Sequence, residues 1–185
     1  MVESKSYDIE SLLSSYLESY SKEKLIALLA FYGRLYMLLD GHWYLSVKQR
    51  LGDEQAVDID LQVWDKQERK EVEGLAKLLD FRSRDVVSLM ELLAIMPSSA
   101  GSKGYIELKN KNDCTFSITH CPIFRTLKKE GKGREKTQCE VICRRLMTNM
   151  AVIFNPSIKV EPTRMPTRQN PDEVYCQWRF KLEES

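Results

Sequence analysis

Cysteine is the residue type in this chain with the most chemistry to offer. The chain has five cysteines, all in its second half. Cys121 directly precedes Pro122, so it occupies the predicted N-cap of a helix, where positive potential favours a thiolate. Cys139 and Cys143 are four residues apart in a long predicted helix and share one face of it. Cys176 points inward from the last predicted strand, so these four sulfurs meet if the helix packs on the sheet near the end of the second strand.

Four sulfurs in one place suit a zinc ion, which thiolates bind tetrahedrally at about 2.3 Å. The candidate metal ligands are the four thiols Cys121, Cys139, Cys143 and Cys176. His120 or Glu140 could replace one of them, and no C-x-x-C pair strengthens the assignment. Two other interpretations stay open: the thiols are small buried apolar groups, or Cys121 is a catalytic nucleophile and His120 moves protons beside it.

A second group of candidates lies in the N-terminal half, at Asp40, His42 and Trp43. A carboxylate, an imidazole that titrates near neutrality and an aromatic wall are what a pocket for a small polar ligand uses. The alternative is a helix junction in which Gly41 eases a bend and Trp43 fills the core.

Two further side chains complete the candidate ligand-binding set. Asp58 lies on the next predicted helix, and we prefer it to Asp60, which a solvated helix face explains. Trp178 lies on the inward face of the last predicted strand. No G-x-S-x-G, G-x-G-x-x-G or P-loop motif occurs, so the sequence predicts neither a serine hydrolase elbow nor a nucleotide site of those types.

The elements that position these residues are predicted from hydrophobic spacing. Asp8 is the predicted N-cap of the first helix, Asp53 that of the third, and Ser83 the start of the fourth. The stripe from Leu25 to Val47 is one helix bent at Gly41 or two helices. Strand alternation follows at residues 105–109, 114–120, 158–160 and 174–182.

The predicted fold is α+β, with a helical N-terminal layer packed on a C-terminal antiparallel sheet that carries one long helix, residues 137–154. The chain of 185 residues is expected to form a single domain, 1–185. Its helical half is residues 1–97, and its sheet-and-helix half, residues 104–185, carries the cysteines.

Charge and composition limit the classes of partner and the compartment that we expect for this chain. The chain has 28 basic and 27 acidic residues, which argues against a nucleic-acid binder that neutralises phosphates. The most apolar stretch is interrupted by Arg34 and is too short for a membrane helix. An odd number of cysteines in a chain with its own core predicts the reducing cytoplasm rather than a disulfide framework. The expected partners are a small-molecule ligand and, as an option, a second copy of the chain.

Several motifs carry a family resemblance. They are Asp40-Gly-His-Trp43 with Asp58 and Trp64, Thr119-His-Cys121-Pro, Cys139 at the start of a helix, Asn155-Pro-Ser-Ile158 and Asp172-Glu-Val-Tyr-Cys176-Gln-Trp178-Arg-Phe180. The C-terminal motifs look like those of the L-2-amino-thiazoline-4-carboxylic acid hydrolase-like family. The closing strand more distantly resembles the vinyl-reductase-type small-molecule-binding domains.

The resemblance implies an α+β ligand-binding fold with a pocket between helices and sheet. In the vinyl-reductase-type domains, cysteines of the tail bind zinc beside a pocket for small, often aromatic molecules. Carried over to this chain, that role falls on Cys121, Cys139 and Cys176. The hydrolase-like family implies cleavage of a cyclic amidine C–N bond.

Three functions are therefore open at this stage. The first is a cytoplasmic small-molecule-binding protein with a cysteine-lined site that holds a metal such as zinc. The second is a hydrolase that opens a thiazoline-type ring. The third is a regulatory or partner-binding protein whose cysteines are purely structural. The sequence does not decide whether the protein is an enzyme.

Overall fold

The structure, a computed structural model, describes residues 8–165 and 173–183. The described helices are α1 (Ile9–Glu18), α2 (Lys22–Leu51), α3 (Asp53–Leu78), α4 (Val86–Ile95), α5 (Pro122–Glu130), α6 (Arg134–Thr137) and α7 (Arg144–Phe154). The described strands are β1 (Lys103–Asn110), β2 (Asp113–His120), β3 (Ile158–Arg164) and β4 (Cys176–Leu182). A 3₁₀ turn, Pro97–Ser99, follows α4, and a π-helical segment, Gln138–Cys143, joins α6 to α7. The predicted domain bounds at residues 1 and 185 lie outside the described residues.

The helix starts show which caps the sequence predicted correctly. Asp8 caps α1, because its Oδ2 accepts a hydrogen bond of 2.8 Å from the backbone N–H of Ser11. The predicted start of α4 at Ser83 was wrong, since Asp85 is the N-cap and accepts from the N–H of Ser88 at 2.9 Å. Gly52, with φ of 93°, caps α3, and Asp53 is its first residue. An aspartate in the first turn still favours the positive helix end.

Helix α2 is a single helix that continues through Gly41 to Leu51. Its close packing onto the rest of the chain occurs at Gly33, where an added Cβ would lie 2.5 Å from the Cβ of Ala100. The ring of Tyr36 meets that of Trp64 on α3 edge-on, with 5.9 Å between the ring centroids. The helical layer is therefore tied together along one side of α2.

The sheet has four strands in the order β1-β2-β4-β3, and every neighbouring pair is antiparallel. Ile118 of β2 pairs with Cys176 of β4, which places the start of β4 beside the end of β2. Trp178 and Phe180 are fully buried on the inward face of β4, as the alternation of that segment predicts.

The core lies between the sheet and helices α4 and α7, and α3 packs against α7 and contributes Val72 and Ala76 to the core. This arrangement confirms the predicted α+β class with a helical N-terminal layer and a C-terminal antiparallel sheet. None of the helices that the structure describes combines the length and hydropathy that crossing a membrane requires.

Candidate functional site

Four of the five thiols converge where β2 ends and β4 begins. Cys121 follows the last residue of β2 and is the N-cap of α5. Cys176 is the first residue of β4, and Cys139 and Cys143 come from the π-helical segment. Every pair among these four thiols is close enough that charge on one raises the pKa of another. We call this group the thiol cluster.

The local structure explains why the cluster forms. The ring of Phe124 on α5 lies against that of Tyr175, with 5.0 Å between the centroids, which docks the start of α5 beside the start of β4. A π-helix has more residues per turn than an α-helix, so side chains four residues apart lie almost directly above one another. Cys139 and Cys143 are therefore adjacent, and the thiol of Cys139 donates a hydrogen bond to Cys143. Rare π-helical turns of this kind are frequently found at functional sites.

Three N–H groups donate hydrogen bonds to sulfurs of the cluster. The backbone N–H of Phe124 donates to Cys121 Sγ at 3.4 Å, and the indole Nε1–H of Trp178 donates to Cys176 Sγ at 3.3 Å. The side-chain amide of Gln138 donates to Cys143 Sγ at 3.9 Å. A neutral thiol is a weak acceptor, whereas a thiolate is a strong one. Each of these donors would therefore bond more strongly to a thiolate than to a neutral thiol.

The thiols of the cluster differ in acidity. Burial raises the pKa of Cys121, against the weaker effect of the Phe124 N–H, so burial outweighs the helix-terminus effect expected from the sequence. Burial likewise raises the pKa of Cys176 to about 12. The hydrogen bond between Cys139 and Cys143 raises the pKa of the donor, Cys139, and lowers that of the acceptor, Cys143. Within this pair, the hydrogen bond therefore favours the thiolate form of Cys143.

The four sulfurs are of the chemical type that binds a thiophilic metal ion, but they do not surround a single metal position. Among residues 8–165 and 173–183, no group of three or more His, Cys, Asp or Glu side chains has ready metal-binding geometry. Four soft sulfur donors with N–H groups directed at three of them are nonetheless of the types that thiolate metal sites use as ligands and outer partners. The fifth thiol, Cys114, lies in the core beside Phe180, and burial raises its pKa to about 11.

A cleft of about 400 Å³ lies beside the cluster, between the α2–α3 junction and the π-helical segment. Its lining combines apolar and charged side chains: Tyr44, Asp53, Glu54, Val57, Lys132, Arg134, Thr137, Gln138 and Ile142. The guanidinium of Arg134 stacks on the ring of Tyr44 at 4.7 Å and pairs with Glu130 at 2.8 Å. Gln138 connects the two features, because it lines the cleft and also donates to Cys143.

The ligand-binding residues predicted from the sequence are not gathered in this cleft. His42, Trp43 and Asp58 are exposed, and the carboxylate of Asp58 accepts a hydrogen bond from Gln62 on its own helix at 2.8 Å. Asp40 faces α3, and Trp178 is buried beneath Cys176.

Two other predicted residues lie at the edges of the site. His120 ends β2 and is half-buried next to Cys121. Asp172, which opens the closing motif of the resemblance, lies outside the described residues.

A row of buried carboxyl groups on α3 was missed by the sequence reasoning. Asp60 is 4% exposed and Glu68 is 1% exposed, and within the described chain Asp60 Oδ1 and both Glu68 carboxylate oxygens lack a hydrogen-bond partner. Burial raises the pKa of Glu68 to about 8 and that of Asp60 to about 7, and the neighbouring Asp40 adds to the effect on Asp60. Burial also raises the pKa of Asp40 to about 6.

The prediction that Asp60 lies on the solvated face of α3 was wrong. Asp60 is buried and Asp58 is exposed. Ala56, Asp60 and Trp64 recur every four residues and are all buried against α2 or α7, whereas Asp58 lies on the opposite side of α3. The signal was present in the sequence, because the phase of Trp64 fixes which aspartate points inward.

The comparisons with known proteins add a family and nothing on function. Neither the curated proteins nor the solved structures give a significant match. The model of a family of unknown function, DUF6125, matches residues 18–182, which spans α2, α3 and α4, the thiol cluster and the four described strands. The chain therefore belongs to this family.

Proposed function

We propose that the protein binds a small molecule in the cytoplasm and that its thiol cluster holds a thiophilic metal ion such as zinc. The observation that carries the proposal is the convergence of Cys121, Cys139, Cys143 and Cys176 from three separate elements, with N–H donors directed at three of the sulfurs. Purely apolar packing of cysteines needs no such donors, because a thiol packs as a small hydrophobic group. When bound, the metal supplies the positive charge that lets several neighbouring thiolates coexist.

The cleft is the proposed small-molecule site. Its volume falls at the small end of the range for ligand pockets, and its lining of aromatic, aliphatic and charged groups suits a small molecule with an apolar body and a polar or charged end. Lys132 and Arg134 stand on one side of it, and Asp53 and Glu54 on another. Through Gln138 a ligand in the cleft would change the hydrogen bonding of Cys143.

Cobalt(II) titration of the metal-free protein tests the metal proposal. We expect one cobalt ion per chain and the intense sulfur-to-cobalt absorption of a tetrahedral thiolate site. Replacing Cys176 with alanine removes one ligand, so we expect the affinity to fall by more than the roughly 10- to 100-fold that loss of an outer partner costs. Cys114→Ala is the matched control, because this buried thiol lies outside the cluster, and its affinity should equal that of the wild type.

The same spectrum reports on the cleft and on the hydrolase interpretation. 2-Amino-thiazoline-4-carboxylic acid is the probe, because the resemblance points to this class of cyclic amidine. A shift of the cobalt bands that saturates with the probe, and that Gln138→Ala abolishes, supports binding beside the cluster. Ring opening of the probe would instead establish the hydrolase. Absence of cobalt binding in the wild type would contradict the metal site and leave the thiols as core groups.

A further inference from the structure

The long helix α2 has two apolar sides, and the chain covers one of them. Gly33 and Tyr44 are its buried residues, and they face α3 and the 3₁₀ turn. Between Leu25 and Val47 the helix carries two formally charged side chains, those of Arg34 and Asp40. A helix that is apolar on all sides is normally buried on all sides. Much of α2 is exposed instead.

The exposed side of α2 follows a regular pattern. Leu25, Leu28, Tyr32, Leu35 and Leu39 alternate at spacings of three and four residues, as the a and d positions of a helix-packing seam do. Tyr32, Leu35 and Leu39 are 57%, 43% and 70% exposed, whereas Leu25 and Leu28 are half-buried. We call this row the α2 seam. It lies on a different side of the helix from Gly33 and Tyr44.

Helix α1 carries a second exposed apolar stripe. It has ten residues, and its described structure contains no buried residue. Ile9, Leu12, Leu13 and Tyr16 form one apolar stripe, and α1 makes no substantial packing contact with any other described element. A helix this short is marginal in water without a surface to pack on. The exposed apolar stripe and the short length of α1 both indicate that this helix packs against a partner.

The size of this surface indicates what covers it. Exposed large apolar side chains are concentrated on these two helices: Ile9, Leu12, Leu13, Tyr16, Ile26, Leu29, Phe31, Tyr32, Leu35, Leu38, Leu39, Trp43, Leu45 and Leu51. They lie on several sides of α2, and at the areas typical of such side chains the α1 stripe and the seam side of α2 together expose on the order of 1,000 Å². The largest apolar patch of a typical monomer is about 300–600 Å², whereas a stable dimer buries about 800 Å² per partner.

We propose that α1 and the α2 seam form a homodimer interface with a second copy of the chain. A seam on one straight surface row is self-complementary under two-fold symmetry, which is the commonest symmetry of homo-oligomers. The near absence of charge along the seam fits a permanent homomeric contact, since obligate interfaces are more apolar than transient ones. Leu35 is the middle one of the three exposed members of the row, Tyr32, Leu35 and Leu39, so a two-fold axis through this exposed part brings it near its own copy.

The oligomeric state of the full chain tests the proposal, by sedimentation equilibrium or light scattering at micromolar concentration. We expect a dimer for the wild type. The double variant Leu35→Asp, Leu39→Asp buries charge in the seam, so its dimer should dissociate about 100-fold more readily or worse. The control is Leu78→Asp with Leu108→Asp, which changes two exposed leucines away from α1 and α2 and should stay dimeric.

Further measurements separate an effect on dimerisation from an effect on folding. Far-UV circular dichroism and cobalt binding should be the same in both double variants, because the seam contains none of the thiols of the cluster. Leu35→Cys should form a covalent dimer on mild oxidation, with the same change at Leu108 as control. A monomeric wild type at 100 µM, a seam variant that stays dimeric, or a monomer that sediments with lipid vesicles instead would each overturn the proposal.

Discussion

The free energy of unfolding should fall as the pH rises from about 4 to 8. The reason is the buried carboxyl row, since burial raises the pKa of Asp40 to about 6, of Asp60 to about 7 and of Glu68 to about 8. In the unfolded chain such groups titrate near pH 4. The folded state therefore holds more protons in this window, and its stability is full below the unfolded pKa and lost as the pH rises through the folded values.

Glu68 should account for the largest share of that loss. A shift of its pKa to about 8 corresponds to a free energy on the order of 5 kcal/mol lost between pH 4 and 9. Glu68→Gln is a neutral stand-in for the protonated side chain, so urea unfolding at pH 5, 7 and 9 should show a much flatter pH dependence. Glu73→Gln is the control, because Glu73 is exposed and pairs with Arg69 at the surface. Equal slopes for wild type and Glu68→Gln would show that Glu68 is not buried as described.

Removal of the metal should lower the melting temperature of the wild type strongly. A ligand that binds the folded state at about a hundred times its Kd stabilises it by about 2.7 kcal/mol, which for a chain of this size is roughly 5–11 °C. A high-affinity chelator should produce that decrease, and added zinc should reverse it. Because the ligands come from the β2–α5 junction, the π-helical segment and β4, the metal would hold three elements together.

Two variants make this measurement specific. Cys139→Ala removes a ligand of the thiol cluster, so its melting temperature should respond little to chelator or zinc. Cys114→Ala removes a core thiol that is not part of the cluster, so it should be destabilised by a lost packing contact and keep the full zinc response. A wild type whose melting temperature is insensitive to both additions would contradict the metal site.

The thiol cluster shows what sequence reasoning reaches and where it stops. The sequence places Cys139 and Cys143 on one helical face and puts Cys121 at a helix N-cap, and the structure has both features. It does not reveal that burial raises the pKa of Cys121, nor that Gln138 and Trp178 donate to the sulfurs. Those properties depend on how the elements pack, and no local pattern encodes them.

The carboxyl row illustrates a different limit. Sequence rules treat acidic side chains as surface groups, because an unpaired buried carboxylate is costly. Asp60 and Glu68 violate that rule, and their helical phase with Trp64 is the signal that could have placed them inside. The continuity of α2 through Gly41 was likewise left open, since one glycine inside a helical pattern neither requires nor excludes a break.

X-ray absorption at the zinc edge of the wild-type protein, purified without a metal-affinity tag and loaded with one equivalent of zinc, tests the central claim most directly. The four-thiol site predicts a first shell of four sulfur atoms at about 2.3 Å. A first shell of oxygen and nitrogen atoms near 2.0–2.1 Å, or zinc lost on gel filtration, would contradict it.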